Sequence, residues 1–331
     1  MRTLAIGRGA MGIAVASLLT SCGGSQLPIA APVGLTPAAA SARAMKDGKL
    51  SVKGDLLYVT TKDHVYFLSY PKGDELGTLR TGRNPGSFIC PDQKNGYVYL
   101  LNGISLQKYP RGATDPTVTT QTPRGENLGC AVNPVTGDVA IAHDDVSSTQ
   151  SGIYVYRNGS GRPKIYRDSN MMSYAYCAYD DGGNLFVNGV NTSYQYALAE
   201  LPNGVKTFTQ IALDRSLGIG LLQWAGKYLT VEIAREPTIY RIAFAGSSGS
   251  VVGETKLYVH GGKLKSYSLT WIQGSTVVGG HWLAGQGKPY KDYDIGFWNY
   301  PAGGNAYKLI SGLTNGGKDQ IRYLAVSPAL K

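Results

Sequence analysis

The residue types on which much enzyme and metal chemistry depends are scarce in this chain. It has 331 residues but only four histidines, four cysteines and six phenylalanines, and charged residues make up 16%. The histidines are His64, His143, His260 and His281, and their spacing matches no metal-binding motif. We therefore predict no cofactor and no catalytic motif.

Long apolar runs and helical periodicity are also absent. No apolar stretch reaches the 18 residues or so that a membrane-spanning helix needs. No run of basic residues is interleaved with aromatic residues, so we expect no nucleic-acid partner. Hydrophobic residues nevertheless make up 43% of the chain, which is enough to form a core and excludes global disorder.

The first 21 residues have the pattern of a signal peptide. Arg2 and Arg8 give a positive start, and Ala10–Leu19 is a short apolar run. The following Leu19–Cys22, with the sequence LTSC, resembles the lipobox of bacterial lipoproteins. In that family the cysteine is acylated and becomes the first residue, so the resemblance implies a lipid on Cys22. An ordinary signal peptide with an incidental cysteine is the alternative.

Residues 22–50 are rich in glycine, proline and alanine, and this composition predicts a flexible linker between the lipid and the rest of the chain. Residues 51–331 then form the folded domain. We expect an exported protein that its lipid holds in the cell envelope, in the outer membrane or at the cell surface.

Short strand-like runs alternate with turns from residue 55 onward, with a period of roughly 45 residues. One copy of the repeat contains four runs, Ser87–Cys90, Tyr97–Leu101, Ser105–Tyr109 and Thr117–Thr122. Further copies begin near residues 128, 174, 218 and 268. Four short strands in each of several repeats are typical of a β-propeller.

Proline in a turn, followed by glycine, ends the third run of several repeats. The instances are Tyr70–Gly73, Tyr109–Gly112, Leu201–Gly204 and Tyr300–Gly303. This combination is typical of a tight turn between strands. Its recurrence supports the division into repeats.

The two ends of the repeat region complement each other. The first repeat begins with a second strand, Leu56–Thr60, and lacks a first one. Near the C-terminus, Tyr323–Pro328 resembles the first strand and turn of another repeat, Cys130–Pro134. We therefore predict an all-β, six-bladed β-propeller in which the C-terminal strand completes the first blade and removes the free sheet edges.

Two stretches, Asn84–Tyr99 and Asp180–Val187, resemble NHL-type repeats of six-bladed propellers. The resemblance covers most of residues 55–328 and is weakest from Gly218 onward. Such propellers serve as protein-binding scaffolds, as sugar or nucleic-acid platforms and in some cases as lyases or lactonases. The resemblance thus implies the fold and leaves the function open.

A basic residue precedes the first strand of nearly every repeat. These residues are Arg83, Arg124, Arg167, Arg215, Lys265 and Lys318. Propeller geometry would place them around one mouth of the central channel, where a ring of cations attracts an anionic ligand or membrane surface. The favoured alternative is paired surface charge, because acidic residues lie within two positions of several of these bases.

The cluster His143-Asp144-Asp145 is a weak candidate for binding a hard cation. A solvated turn is the preferred interpretation, and we predict no metal site. A lactonase would need carboxylate and amide ligands from several repeats. The chain offers Glu126, Asn127, Asp168, Asn188 and Glu232 for this purpose, although these residues occupy different places in their repeats.

The tryptophans Trp224, Trp271, Trp282 and Trp298 occupy different strands, which favours packing between blades over a sugar-stacking surface. Cys90, Cys130 and Cys177 fall in the first strands of consecutive repeats. Because side chains alternate along a strand, Cys90 and Cys130 either face each other or both point away, and export permits a disulfide in the first case. We expect instead that all three are reduced, buried thiols.

A non-enzymatic binding or interaction module is the function that these observations favour, with a protein or an anionic ligand at a channel mouth as its partner. One alternative is a hydrolase, lactonase or lyase, which converging acidic side chains at a mouth would favour. A structural component of the cell envelope is the other. A channel plugged by aliphatic side chains would favour a scaffold.

Overall fold

The computed structural model describes residues 45–46, 49–50, 53–81, 87–145, 150–233, 236–259, 266–282, 293–311, 313 and 321–330. Within these ranges the chain forms strands and turns and no helix. Accordingly, the described part of the chain contains no helix that is long and apolar enough to cross a membrane.

The strands are, in chain order, β1 Met45–Lys46, β2 Lys49–Leu50, β3 Leu56–Thr60, β4 His64–Ser69, β5 Glu75–Arg80, β6 Ser87–Pro91, β7 Tyr97–Asn102, β8 Ser105–Pro110, β9 Val118–Gln121, β10 Glu126–Val132, β11 Val139–Asp144, β12 Gly152–Arg157, β13 Ser160–Tyr166, β14 Met171–Tyr179, β15 Leu185–Asn191, β16 Tyr196–Leu201, β17 Thr209–Gln210, β18 Ala212–Leu213, β19 Gly220–Ala225, β20 Tyr228–Ile233, β21 Thr238–Ala245, β22 Ser248–Tyr258, β23 Ser266–Gln273, β24 Thr276–Trp282, β25 Tyr293–Asn299, β26 Gly303–Ile310 and β27 Tyr323–Ser327.

Most strands pair with their neighbours in the chain to form four-stranded antiparallel sheets. Three of these sheets are β6–β9, β10–β13 and β14–β17. The strands from β18 to β26 belong to one nine-stranded sheet. It contains two antiparallel runs, β19–β22 and β23–β26, which a short parallel pairing joins at Leu257 and Gly304. The pair β1 and β2 lies inside the segment that the composition predicts to be a linker.

The last strand pairs with the first strand of the main domain. β27 is antiparallel to β3, from Tyr323 opposite Thr60 to Ser327 opposite Leu56, and this creates the sheet β27-β3-β4-β5. The pairing expected between the chain's two ends is therefore present. The first strands β27, β6, β10, β14, β19 and β23 contact one another in that order, and β23 also contacts β27, so they form a closed circuit.

The core lies between neighbouring sheets. Second strands are buried on both faces, as in β3, where all five residues are buried. Such strands are continuous apolar runs because neither face meets water. The outermost strand β13 is mostly exposed. At the predicted turns, Gly73 and Gly112 have φ of 82° and 74°, a region that glycine adopts without steric cost.

Candidate functional site

Three aromatic rings from different sheets meet between the first strands. Phe88 on β6 lies 3.7 Å from Tyr323 on β27 and 6.3 Å from Tyr176 on β14, measured between ring centroids. The hydroxyls of Tyr176 and Tyr323 are hydrogen-bonded to each other, and burial raises the pKa of both. Aromatic rings, two of which carry hydroxyls, therefore meet between the first strands, and the aliphatic side chain of Leu269 packs against the same cluster.

A cavity of about 610 Å³ opens at the carboxyl ends of β6, β10, β14, β19 and β23. Its wall consists of the last residues of these strands and the turns that follow them. The polar and aromatic residues in the wall include Gln93, Lys94, Asp181, Gln223, Trp224, Trp271 and Gln273. Concave sites of about 300–1,000 Å³ with a mixed apolar and polar lining are typical of ligand pockets.

Two indoles in this wall are held in place by their neighbours. The Trp224 ring stacks on Phe186, with centroids 5.8 Å apart and an interplanar angle of 11°. Its Nε1 donates to Asp181 Oδ2 over 3.3 Å. The Nε1 of Trp271 donates to Gln273 Oε1, also over 3.3 Å.

Gln223 and Glu232 connect β19 and β20 to the neighbouring strand β23. Gln223 Nε2 donates to the carbonyl of Ile272 over 2.7 Å, and the Ile272 amide donates back to Gln223 Oε1 over 2.8 Å. Glu232 Oε2 accepts hydrogen bonds from the amide and the hydroxyl of Thr270, at 2.7 and 2.6 Å. Glu232 is almost fully buried, and burial raises its pKa to about 7.

No protein-family model matches the sequence, and no curated protein matches it. Many solved structures resemble the chain at low identity, among them the following three. A protein of unknown function from Bacteroides caccae has a TM-score of 0.59 and 11% identity, over 84% of this chain and all of that one. A chain of a nidogen–laminin complex has a TM-score of 0.60 and 12% identity over the same shares.

The third structure is a protein described as TolB from Agrobacterium tumefaciens. Its TM-score is 0.51 and its identity 14%, over 82% of this chain and 91% of that one. These neighbours are β-propellers. The chain has a β-propeller fold. At such identities the likeness concerns the fold alone.

A disulfide joins Cys90 and Cys130 in the cavity wall of the propeller, with Cα atoms 5.9 Å apart. The expectation of three reduced thiols is therefore wrong. Cys90 and Cys130 point to opposite faces of their own strands. Because these strands belong to adjacent sheets, the two side chains face each other, which is one of the geometries that the sequence allows. Cys177 is free and buried, and burial raises the pKa of its thiol to about 12.

Of the predicted basic residues, Arg124, Arg167 and Arg215 are described, and they precede first strands at the opposite end from the cavity. Arg124, Arg167 and Arg215 are exposed. Arg167 Nε donates to the carbonyl of Ser151 over 3.1 Å, and Arg215 lies 3.6 Å from Glu254 in an ion pair. Arg167 therefore contacts the residue before β12, and Arg215 contacts the outer strand β22. Arg83, Lys265, Lys318 and the predicted lipid site Cys22 lie outside the described residues, and the cation ring stays a prediction.

The cluster at the end of β11 is engaged in local hydrogen bonds. Asp144 Oδ1 accepts from Ser151 Oγ over 3.1 Å, and the amide of Asp145 donates to the same hydroxyl over 2.8 Å. Burial raises the pKa of Asp144. His143 is buried, with Nδ1 3.0 Å from Asn127 Oδ1. Among the described residues, no group of three or more histidine, cysteine, aspartate or glutamate side chains is placed to hold a metal ion.

The residues considered for a lactonase site do not line the cavity. Asn188 Nδ2 donates to the carbonyl of Gly220 over 2.7 Å and so joins β15 to the next sheet. Asp168 accepts from the amide of Asn170 over 2.8 Å and from the Gln210 side chain over 2.5 Å. Glu232 is bonded to Thr270, and Glu126 is exposed.

Most residues of the cavity wall were not predicted from the sequence. Gln93, Lys94, Asp181 and Gln273 lie in or next to the turn between the first and second strands of their repeats, whereas the predicted basic residues precede the first strand. Their shared position beside this turn is the sequence signal that they have in common.

The tryptophans divide into two groups. Trp298 is fully buried, and its Nε1 donates to the carbonyl of Tyr258 over 2.7 Å, as expected for packing between sheets. Trp224 and Trp271 line the cavity instead, so packing is only part of their role. The Trp282 side chain lies outside the described residues.

Proposed function

We propose that the protein is an exported, lipid-anchored binding protein and that its propeller holds a ligand in the cavity at the carboxyl ends of the first strands. The cavity carries this proposal. Its wall combines oriented indole rings with polar groups, while the carboxylates and amides considered for catalysis bond to other parts of the fold.

The proposal includes six blades. The closed circuit of first strands supports this number, as does the repetition of the antiparallel four-strand order in β19–β22 and β23–β26. The NHL-like character of the repeats rests on their sequence resemblance.

The lipid anchor is tested by Cys22→Ser. We expect this variant to move from the membrane into the soluble exported fraction, because a durable anchor depends on the acyl chains. A variant that stays on membranes after alkaline and salt washes would contradict the anchor.

The binding site is tested by isothermal titration calorimetry on the full chain, in a detergent without a sugar headgroup. The probes are short oligosaccharides, short peptides and inorganic phosphate. We expect at least one probe to bind the wild type and the exposed control Asp115→Ala, and to bind Asp181→Ala more weakly because Asp181 lines the cavity.

The rival functions correspond to other results of this experiment. Absence of binding by all three classes of probe would contradict the proposal and favour a structural envelope component. Conversion of a probe during the titration would favour the hydrolase, lactonase or lyase.

A further inference from the structure

The residues of the cavity wall indicate which class of ligand it holds, and this inference rests on the proposed function. We propose that the cavity binds a short saccharide, with Trp224 and Trp271 as stacking surfaces and Asp181, Gln93 and Gln273 as hydrogen-bonding groups. Three properties of the wall support this assignment: its aromatic planes, its unused polar atoms and its charge balance.

The aromatic planes are oriented before any ligand arrives. Phe186 stacks on one side of Trp224, and Asp181 holds the indole nitrogen. Trp271 packs against two core clusters and is tethered to Gln273. Both indoles remain partly exposed. A rigid, flat and amphipathic surface suits the apolar C–H face of a sugar ring, and its pre-organisation lowers the entropy lost on binding.

The polar side chains keep hydrogen-bonding capacity that the fold does not use. Gln273 accepts from Trp271 through Oε1, and its side-chain NH₂ has no partner among the described residues. Gln93 donates to the carbonyl of Val326 over 3.4 Å, which leaves its Oε1 as an acceptor. Asp181 uses Oδ2 for Trp224 and keeps Oδ1. Sugar hydroxyls both donate and accept, so this mixture of groups matches them.

The charge of the wall is balanced although that of the chain is not. Lys94 and Asp181 are the charged residues that line the cavity in the described part of the chain, whereas the whole chain has a formal net charge of +10. A site for a phosphate or another strong anion would concentrate cations. The cavity instead suits an uncharged, hydroxyl-rich molecule.

The test is calorimetry on the full chain with cellotetraose, maltotetraose and chitotetraose as probes, again in a detergent without a sugar headgroup. We expect at least one of these oligosaccharides to bind. Trp224→Ala and Trp271→Ala should each weaken binding by about tenfold or more, the factor that corresponds to loss of a stacking contact. Tyr194→Asn removes an aromatic ring that is 79% exposed and does not line the cavity, and it should leave the affinity unchanged.

Two milder variants keep the test valid if the alanine variants unfold. Trp224→Phe retains a ring against Phe186 but loses the bond to Asp181, and Gln273→Ala removes a polar group of the wall without cutting into the core. Both should weaken saccharide binding several-fold while the melting temperature stays near that of the wild type. Equal affinity in all of these variants would show that the sugar does not occupy the cavity.

The same titrations separate failure of this inference from failure of the proposed function. If peptides or phosphate bind, if Asp181→Ala weakens that binding, and if no oligosaccharide binds, the saccharide assignment is wrong and the binding function stands. If no probe of any class binds, both are wrong.

Discussion

Two interfaces between neighbouring first strands are joined by different chemistry. A covalent bond between Cys90 and Cys130 joins β6 to β10. On the other side of the cavity, the side chains of Gln223 and Glu232 join β19 and β20 to β23 through hydrogen bonds. Adjacent sheets are thus held together by a disulfide at one interface and by side-chain hydrogen bonds at the other.

The difference means that the two interfaces respond to different conditions. The disulfide is sensitive to reductant and carries no titratable proton, whereas a buried carboxyl titrates and so makes stability depend on pH. Cys90, Cys130 and Gln223 all line the cavity, so both interfaces also shape the proposed binding site.

The largest effect is expected when the circuit that contains both interfaces is opened. Deletion of residues 322–331 removes β27, whose Leu324, Ala325 and Val326 are buried, and leaves an edge of β3 unpaired. We expect aggregation or a large fall in melting temperature, measured by size-exclusion chromatography and calorimetry. Deletion of residues 329–331 alone, which keeps β27, is the control. A chain without residues 322–331 that melts like the full one would contradict the role of the strand.

Removal of the disulfide should have the next largest effect. The bridge spans 40 residues, so the chain-entropy model predicts that Cys90→Ala with Cys130→Ala lowers the free energy of unfolding by about 4 kcal/mol. Reductant should lower the wild type to the same level and leave the double variant unchanged, as measured by urea unfolding.

A thiol count checks the bridge directly. After denaturation without reductant, the Cys22→Ser variant should show a single reactive thiol, from Cys177. Three reactive thiols would contradict the disulfide and restore the expectation of reduced cysteines.

The polar interface should show the smallest effect, and it should depend on pH. Burial raises the pKa of Glu232 from 4.5 to about 7. Below pH 4.5 the carboxyl is protonated in both the folded and unfolded chains. Between 4.5 and about 7 the unfolded chain ionises first, so the free energy of unfolding falls as pH rises, by about 3 kcal/mol at roughly 1.4 kcal/mol per pH unit. Above about pH 7 the carboxyl is ionised in both the folded and unfolded chains, so the free energy of unfolding falls no further through Glu232.

Glu232→Gln isolates this effect because its side chain stays neutral at every pH. Between pH 4.5 and 8, the wild type should lose about 3 kcal/mol of free energy of unfolding relative to this variant, as measured by urea unfolding. The exposed Glu126→Gln serves as the control for loss of a carboxylate. A difference that is constant over this range would contradict the buried, protonated state of Glu232.

The strands were largely predictable because their pattern is local. The expected runs Leu56–Thr60 and Ser87–Cys90 appear as β3 and β6, and the expected C-terminal strand appears as β27. The proline-glycine turns were predictable for the same reason. By contrast, Trp224 and Trp271 occupy first strands like other apolar residues, and nothing local distinguishes a ring that packs from a ring that lines a cavity.

The sequence by itself determined the all-β repeats and the opposite positions of Cys90 and Cys130 in the strand alternation, because hydrophobic alternation and turn residues act over a few neighbouring positions. The missing first strand of the first repeat also indicated that the two ends of the repeat region pair. The tertiary structure decided that these two cysteines bond, that Glu232 is buried against Thr270, and that Trp224, Trp271, Asp181 and Gln273 surround one cavity. These contacts join residues from sheets that are far apart in the chain, so their distances and burial depend on how the sheets pack around the common centre, which no local pattern specifies.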